Sequence, residues 1–277
     1  MVVDTTLWPA GPYRLDHCAR RAGDVTRIFR NGLLTTVFEA GGEPALARVW
    51  QRPDGVLGVR LETRNPDAAL DALRFVLATD ADHSDFLRRF GSDRLVGRTT
   101  SRLRGLRPLR TGTVTHSLVK ALCGQLISGR EARRIEARLL RVASPTHAGF
   151  HLPPTRAAFA PRAPAELCRY GLVARKASAL VRISRAFDIE RLRGVATDAA
   201  VRRIVEERTL GPWSAGVICL HGLGRYEHGL VGDLGLMKLC TTLLGRPATS
   251  EDTAELLRPY GEWAGLASLY LLAGGAG

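Results

Sequence analysis

The sequence predicts an α+β fold, a small antiparallel sheet followed by a mostly α-helical portion, on three observations. Short β-branched and apolar runs separated by turn residues fill positions 25–62, the hydrophobic pattern changes to a helical period near residue 65, and helix start and stop residues recur from there onward. The strands come first. Val25–Arg30, Leu33–Glu39, Ala45–Gln51 and Val56–Glu62 read as a meander, joined by Asn31-Gly32, by Gly41-Gly42-Glu43-Pro44 and by Arg52-Pro53-Asp54-Gly55. From Pro66, Leu70, Leu73, Val76 and Leu77 are spaced for one buried helix face, and a short helix is expected over Ser84–Phe90.

Positions 91–113 are rich in Arg, Gly and Thr and read as a connector with room for one helical turn, between an N-terminal domain at 1–92 and a helical domain at 93–277. Its arginines, Arg98, Arg102, Arg104, Arg107 and Arg110, fit either phosphate contact or plain solvation. Helices are then expected over 115–128, 130–143, 164–170, 173–187, 198–207, 213–223, 233–244, 251–258 and 262–273. Asp198 and Ser250 serve as starts, and Gly171, Gly224, Gly245 and Gly261 as stops.

Charge narrows the partner. The chain carries 40 Lys+Arg against 27 Asp+Glu, a net charge of +13, which favours polyanions. The weight of that excess is limited because nearly all of it is arginine: Lys120, Lys176 and Lys238 are the only lysines, a bias that genome composition also produces. Cys18, Cys123, Cys168, Cys219 and Cys240 are far apart with no C-x-x-C pair, and they read as buried thiols of a reducing compartment rather than as disulfides or metal ligands. No secretory leader and no long apolar run appears. A soluble cytoplasmic monomer, not bound to a membrane, is expected.

Chemistry concentrates in Val205–Cys240. The turn Leu210-Gly211-Pro212 opens a helix with Pro at its first position and leaves backbone N–H groups pointing outward, an arrangement that can hold a phosphate. Further on, Asp233 follows Gly232 and heads the next apolar helix, as an N-cap or as a carboxylate beside whatever the turn holds. His221, Tyr226, Glu227 and His228 lie between the two, either lining the same site or giving a loop its polarity.

Four segments in this order resemble the helix-hairpin-helix DNA glycosylases, and among them the 3-methyladenine DNA glycosylase II branch. They are Leu118–Ser128 (LVKALCGQLIS), Leu210–Ala215 (LGPWSA), Gly232–Leu236 (GDLGL) and Arg258–Ala264 (RPYGEWA) with Leu269-Tyr-Leu-Leu after it. The resemblance covers about residues 110–277 well, and the strand-rich start is similar to the small α+β domain of that branch. It implies an enzyme that flips a damaged base from duplex DNA and hydrolyses its glycosidic bond, with Asp233 as the charge beneath the sugar. It implies a base pocket walled by Trp213, Val217, Leu269 and Tyr270. DNA contacts are expected at Gln125, Leu126, Thr209, Leu210, Gly211 and Ser214, with Leu126 as the wedge that fills the vacated stack.

Trp213 stands where lyase-type relatives carry a nucleophilic lysine, so the resemblance implies a monofunctional enzyme; its π-face also suits cationic, alkylated purines. No cofactor or structural metal is implied beyond a monovalent cation at the hairpin carbonyls. Thr209 replaces the usual first hairpin glycine, and strain is expected there if that position needs positive φ. Val217 and Leu269 stand where aromatics are frequent. The partner implied is damaged duplex DNA, and the location the nucleoid. Two alternatives stay open: a helix-hairpin-helix module that binds DNA without catalysis, and a hairpin that serves protein partners.

Overall fold

A computed structural model describes residues 1–20 and 22–274 and has the α+β architecture expected. Strands β1 (Val2–Leu7), β2 (Arg27–Arg30), β3 (Leu33–Ala40), β4 (Glu43–Gln51) and β5 (Leu57–Glu62) form an antiparallel sheet of order β1-β5-β4-β3-β2. The β2–β3 connection is the two-residue turn the sequence announces, with Asn31 and Gly32 at φ 50 and 77, whose twist matches that of the strands. β1 is an addition to the expected strands. Val2, Val3, Thr5 and Thr6 carry its β-branched signal, but it is an edge strand with only Leu7 buried, so no apolar face marks it.

One face of the sheet forms a core with α1 (Leu15–Ala19) and α2 (Pro66–Leu77). Leu15, Cys18, Ala69, Leu73 and Leu77 pack there against Leu34, Phe38, Val49 and Val59. Asn65 caps α2 by accepting the Ala68 amide, and Pro66 takes the first helical position. The opposite face buries Val37 and Leu46 under Phe150 and Leu152, which belong to a hairpin, β6 (Thr146–His147) and β7 (Phe150–His151), from the middle of the helical portion. Sheet and helices are thereby interlocked.

α3 (Ser84–Arg89) and α4 (Gly97–Arg102) lead through the arginine-rich stretch. Two of its arginines are structural. Arg107, 1% exposed, donates to the carbonyls of Ala78 at 2.7 Å, Pro12 at 2.9 Å and Ala10; Arg110, 2% exposed, holds Asp80 at 2.7 and 2.8 Å. Neither reaches solvent, whereas Arg98, Arg102 and Arg104 are exposed.

Beyond the connector, α5 (Val114–Gly124) is the axis of the larger core. It is surrounded by α6 (Gly129–Ala143), α8 (Ala174–Ala186), and α10 (Pro212–Val217) with the π-helical turn Ile218–Leu223 that continues it. α7 (Pro164–Cys168), α9 (Thr197–Val205), α11 (Leu234–Leu244), α12 (Ser250–Leu257) and α13 (Ala264–Gly274) complete the chain. The cysteines are all free, and among the described residues no helix is long and apolar enough to cross a membrane.

Candidate active site

The chain leaves α9 through a turn in which the Leu210 amide donates to the Glu207 carbonyl at 2.7 Å, while the Leu210 side chain, 3% exposed, enters the core. Leu210 therefore anchors the hairpin from inside. Gly211 caps α10 in extended backbone (φ −96, ψ −172), so here the glycine is not required by a left-handed conformation. Nor is Thr209 strained. Positive φ in described non-glycine residues is confined to Asn31, Ala78, Leu126 and Ala148, so the strain expected of Thr209 does not arise. Its carbonyl instead accepts a hydrogen bond from Gln125 Nε2 at 2.7 Å. The amides of Gly211, Trp213 and Ser214 find no acceptor among the described residues, as the first turn of a helix requires.

Asp233 is the N-cap of α11. Its Oδ1 accepts the amides of Gly235 at 2.8 Å and Leu236 at 3.4 Å, so the capping role weighed from sequence is real. That role leaves the second oxygen for other work. Oδ2 accepts the indole N–H of Trp213 at 2.8 Å, so two residues that the sequence places in separate elements meet directly. The Trp213 ring also lies on Gly124, the last residue of α5, where a Cβ would come within 2.7 Å of it.

The segment after α5 departs from the helix expected over 115–128. Gln125 is extended (ψ 119) and ends α5, and Ser128 caps α6 by accepting the Glu131 amide, which isolates 125–128 as a loop. Leu126 in this loop is 81% exposed at φ 61. A leucine in left-handed backbone costs about 1–3 kcal/mol and gains nothing from packing here, so the fold holds it outward against its own preference. The loop is pinned from two sides. Gln125 Nε2 also donates to Ser214 Oγ at 3.0 Å, and the Gln125 carbonyl accepts Lys176 Nζ at 2.8 Å. Gln125 thus ties the loop to the hairpin, and Trp213 ties the hairpin to Asp233.

The other proposed pocket residues separate. Tyr270 is fully buried against Phe86, ring centroids 5.2 Å apart, and its hydroxyl donates to the carbonyls of Leu103 and Leu106. It is a core residue because α13 turns that face toward the connector. Val217, 6% exposed, likewise belongs to the helical core. Leu269 alone of the pair with Tyr270 faces space. With Leu272 it lines a cavity of about 580 Å³ between α13, α5 and the start of β2. The far side of Leu272 packs on Gly235, where a Cβ would lie 2.5 Å from it and 3.1 Å from Asp233 Oδ1. One apolar side chain therefore touches both the cavity and the start of the helix that Asp233 caps.

In the polar lining of this cavity sequence reading placed His221 as a candidate but missed Lys120. Lys120, on α5, reaches the cavity and is held at 3.1 Å by Glu136 Oε1 from α6. Its position inside an apolar helical run gave no signal; only Glu136 and Asp24, distant in sequence, give it meaning. His221 lines the cavity too, with Nδ1 donating to the Leu109 carbonyl at 3.3 Å, and burial lowers its pKa to about 4, so the ring is neutral at pH 7. Three other residues between turn and acid go elsewhere. Tyr226 is buried, the His228 ring bonds the Pro212 carbonyl, and Glu227 accepts from Thr197.

Neither a family model nor a curated protein sequence matches the chain. The structure is similar to that of the 3-methyladenine DNA glycosylase from Archaeoglobus fulgidus, with a TM-score of 0.84 and 19% identity over 96% of each chain. It is also similar to the 8-oxoguanine glycosylase/lyase from Clostridium acetobutylicum in its apo form, with a TM-score of 0.78 and 14% identity over 98% of each chain. A third match is the 3-methyladenine DNA glycosylase from Schizosaccharomyces pombe in complex with abasic DNA. Its TM-score is 0.55 and its identity 19%, over 65% of this chain and 91% of that one. At these identities the likeness is one of fold, and that fold is shared by enzymes acting on methylated and on oxidised bases.

Proposed function

We propose that the chain is a helix-hairpin-helix DNA glycosylase of base excision repair, hydrolysing the glycosidic bond of a base flipped from duplex DNA. One observation carries the reading: hydrogen bonds join the exposed Leu126 loop to the hairpin through Gln125, and the hairpin to Asp233 through Trp213. Such a unit suits the three demands of the reaction, which are a wedge for the vacated stack, a grip on the backbone and an anion beneath the sugar. The left-handed, outward Leu126 favours catalysis over a module that merely binds, since plain backbone contact has no use for a strained apolar tip.

Asp233 stabilises the oxocarbenium-like transition state by its charge and orients the attacking water. Trp213 has no amine to form an imine, and its N–H is spent on Asp233; both favour hydrolysis without strand cleavage. Gly211 and the Trp213 and Ser214 amides face the phosphates. Alkylated bases of the 3-methyladenine type are the class the sequence resemblance implies, and the partition of the chain at residues 92 and 93 belongs to the same proposal. The test is mass spectrometry of bases released from methylated duplex DNA, with borohydride trapping alongside. Free base with no trapped enzyme supports the reading, whereas no free base from any lesion sinks it.

Trp213 acts through Asp233 in this scheme, as a positioning residue. Trp213→Phe removes the N–H, a hydrogen bond to a charged group worth about 1.5–3 kcal/mol, together with the outer ring atoms that lie on Gly124. The expected result is a fall in kcat of about tenfold to hundredfold with KM for duplex DNA nearly unchanged. An unchanged kcat would remove Trp213 from the machinery.

A further inference from the structure

The cavity behind Leu269 and Leu272 is not specialised for a cation. Among its described lining residues none is Phe, Tyr or Trp, six are Arg or Lys and two are Asp. A positively charged alkylated purine meets no stacking ring there and a field of its own sign. At about 580 Å³ the space admits a nucleobase, and its polar groups are few and fixed. Lys120 brings an ammonium whose side chain is 30% exposed to the cavity, anchored on Glu136, which is only 4% exposed. The packed elements also bring Asp24 and Arg27 to this ammonium, and His221 faces the same space. Because Nδ1 of His221 donates to the Leu109 carbonyl, its Nε2 carries a free lone pair. One donor and one acceptor on the same wall match an amide-like base edge, a carbonyl next to a ring N–H.

Leaving-group chemistry gives that arrangement a use. A cationic alkylated base departs as a neutral molecule and needs no help. A neutral base, oxidised or deaminated, departs as an anion, and nothing in Asp233 or Trp213 stabilises negative charge on the base. We infer that Lys120 contacts the flipped base and stabilises the departing anion of neutral lesions, so that the enzyme acts on amide-edged neutral bases as well as on cationic ones. This rests on the glycosylase reading above. The C1′–N bond breaks with its electron pair passing to the base, which pairs with the Lys120 ammonium. Water gives its oxygen to C1′, and the proton it loses goes to the base anion. Burial opposes the charge on Lys120, but Glu136 and Asp24 outweigh it and hold its pKa above the ordinary lysine range, so the ammonium persists through the cycle.

The test uses the purified full chain and single-lesion duplexes carrying hypoxanthine, uracil or 8-oxoguanine, beside DNA carrying 7-methylguanine. Lys120→Met is expected to lower release of the neutral base by about a hundredfold or more, while release of 7-methylguanine falls less than about threefold. Lys120→Arg, which keeps a cationic donor, is expected to recover much of the loss. Because Lys120→Met leaves the buried Glu136 anion with only the His116 hydrogen bond, the double variant Lys120→Met/Glu136→Gln removes both charges, keeps an acceptor for His116 and should give the same selective loss in a stable protein. The ratio of the two rates within one preparation is the quantity read, so a misfolded fraction cancels. Equal loss on both substrates overturns the inference, and so does a wild-type enzyme that releases 7-methylguanine but none of the neutral bases, which leaves the glycosylase reading intact. Failure to release any base overturns both.

Discussion

Asp233→Asn is expected to lower base release by at least about a hundredfold to a thousandfold while leaving duplex binding near the wild-type level. The magnitude follows from charge. A preorganised group aimed at developing transition-state charge contributes about 2.7–4 kcal/mol, and the neutral amide gives up most of it. The fold should survive, because asparagine caps helices as well as aspartate does and its Oδ1 can still accept the Gly235 and Leu236 amides. With the oxygen held there, the amide NH₂ faces the Trp213 N–H, donor against donor, and the indole must move. This gives a second, sharper expectation. Trp213→Phe lowers the rate in the wild-type background but is silent, or slightly favourable, in the Asp233→Asn background, because the interaction it removes is already lost. Single-turnover release from methylated duplex, measured in all four proteins, reads the cycle. Turnover of Asp233→Asn within tenfold of wild type would falsify the assignment of the carboxylate, and additive losses would show that Trp213 acts on the base or the sugar instead.

Much of this arrangement was legible before the structure, for identifiable reasons. The helix starts at Pro66, Ser250 and Pro212 and the turn at Asn31-Gly32 depend on neighbours in sequence, so local chemistry specifies them. Asp233 is ambiguous between cap and catalytic group in sequence because its geometry leaves room for both: Oδ1 caps α11, and Oδ2 is left to meet the Trp213 N–H. What could not be read depends on distant partners. Arg107 and Arg98 have the same local character in the connector, yet one is buried because the carbonyls of Ala78, Ala10 and Pro12 converge on it, while the other remains in solvent. Tyr270 and Leu269 are adjacent in a helix apolar on every side, and only the packing of α13 sends one into the core and the other to the cavity. Leu126 extends an apolar helical pattern in sequence. The helix stops before it because Gln125 is drawn to the hairpin and its carbonyl to Lys176.

Lys120 raises the question of what holds a charged cluster under the cavity, and Glu136 answers it. This carboxylate is 4% exposed and accepts from His116 Nε2 at 2.9 Å and from Lys120 Nζ at 3.1 and 3.3 Å. Asp24 lies close by; with His116 and Glu136 it places one donor atom per residue within 4.8 Å of the others, but Lys120 and Arg27 already supply positive charge there. Removing the central anion leaves a half-buried ammonium without its nearest counter-charge and the buried His116 without its acceptor. Glu136→Ala is therefore expected to destabilise the fold by about 3–5 kcal/mol, whereas replacing Glu136 and Lys120 together by Gln and Met, which keeps an acceptor for His116, should cost much less. The same contact dictates an acid sensitivity. Burial pushes the Glu136 carboxyl up, but Lys120 and His116 prevail and hold its pKa down to about 2, below the value of about 4.3 for an unfolded chain. A depressed carboxyl stabilises the fold fully above the unfolded value and loses that contribution as pH falls toward the folded one, so the window runs from about pH 4.3 down to about 2. The contribution lost across it is about 3 kcal/mol. Denaturant unfolding at pH 7, 4 and 2.5 checks this: wild type should lose stability across the lower interval relative to Glu136→Gln, which has no proton to gain at this position. Parallel pH profiles for the two proteins would mean that Glu136 is not held as an anion. The cluster would then lack the counter-charge that keeps the Lys120 ammonium under the cavity.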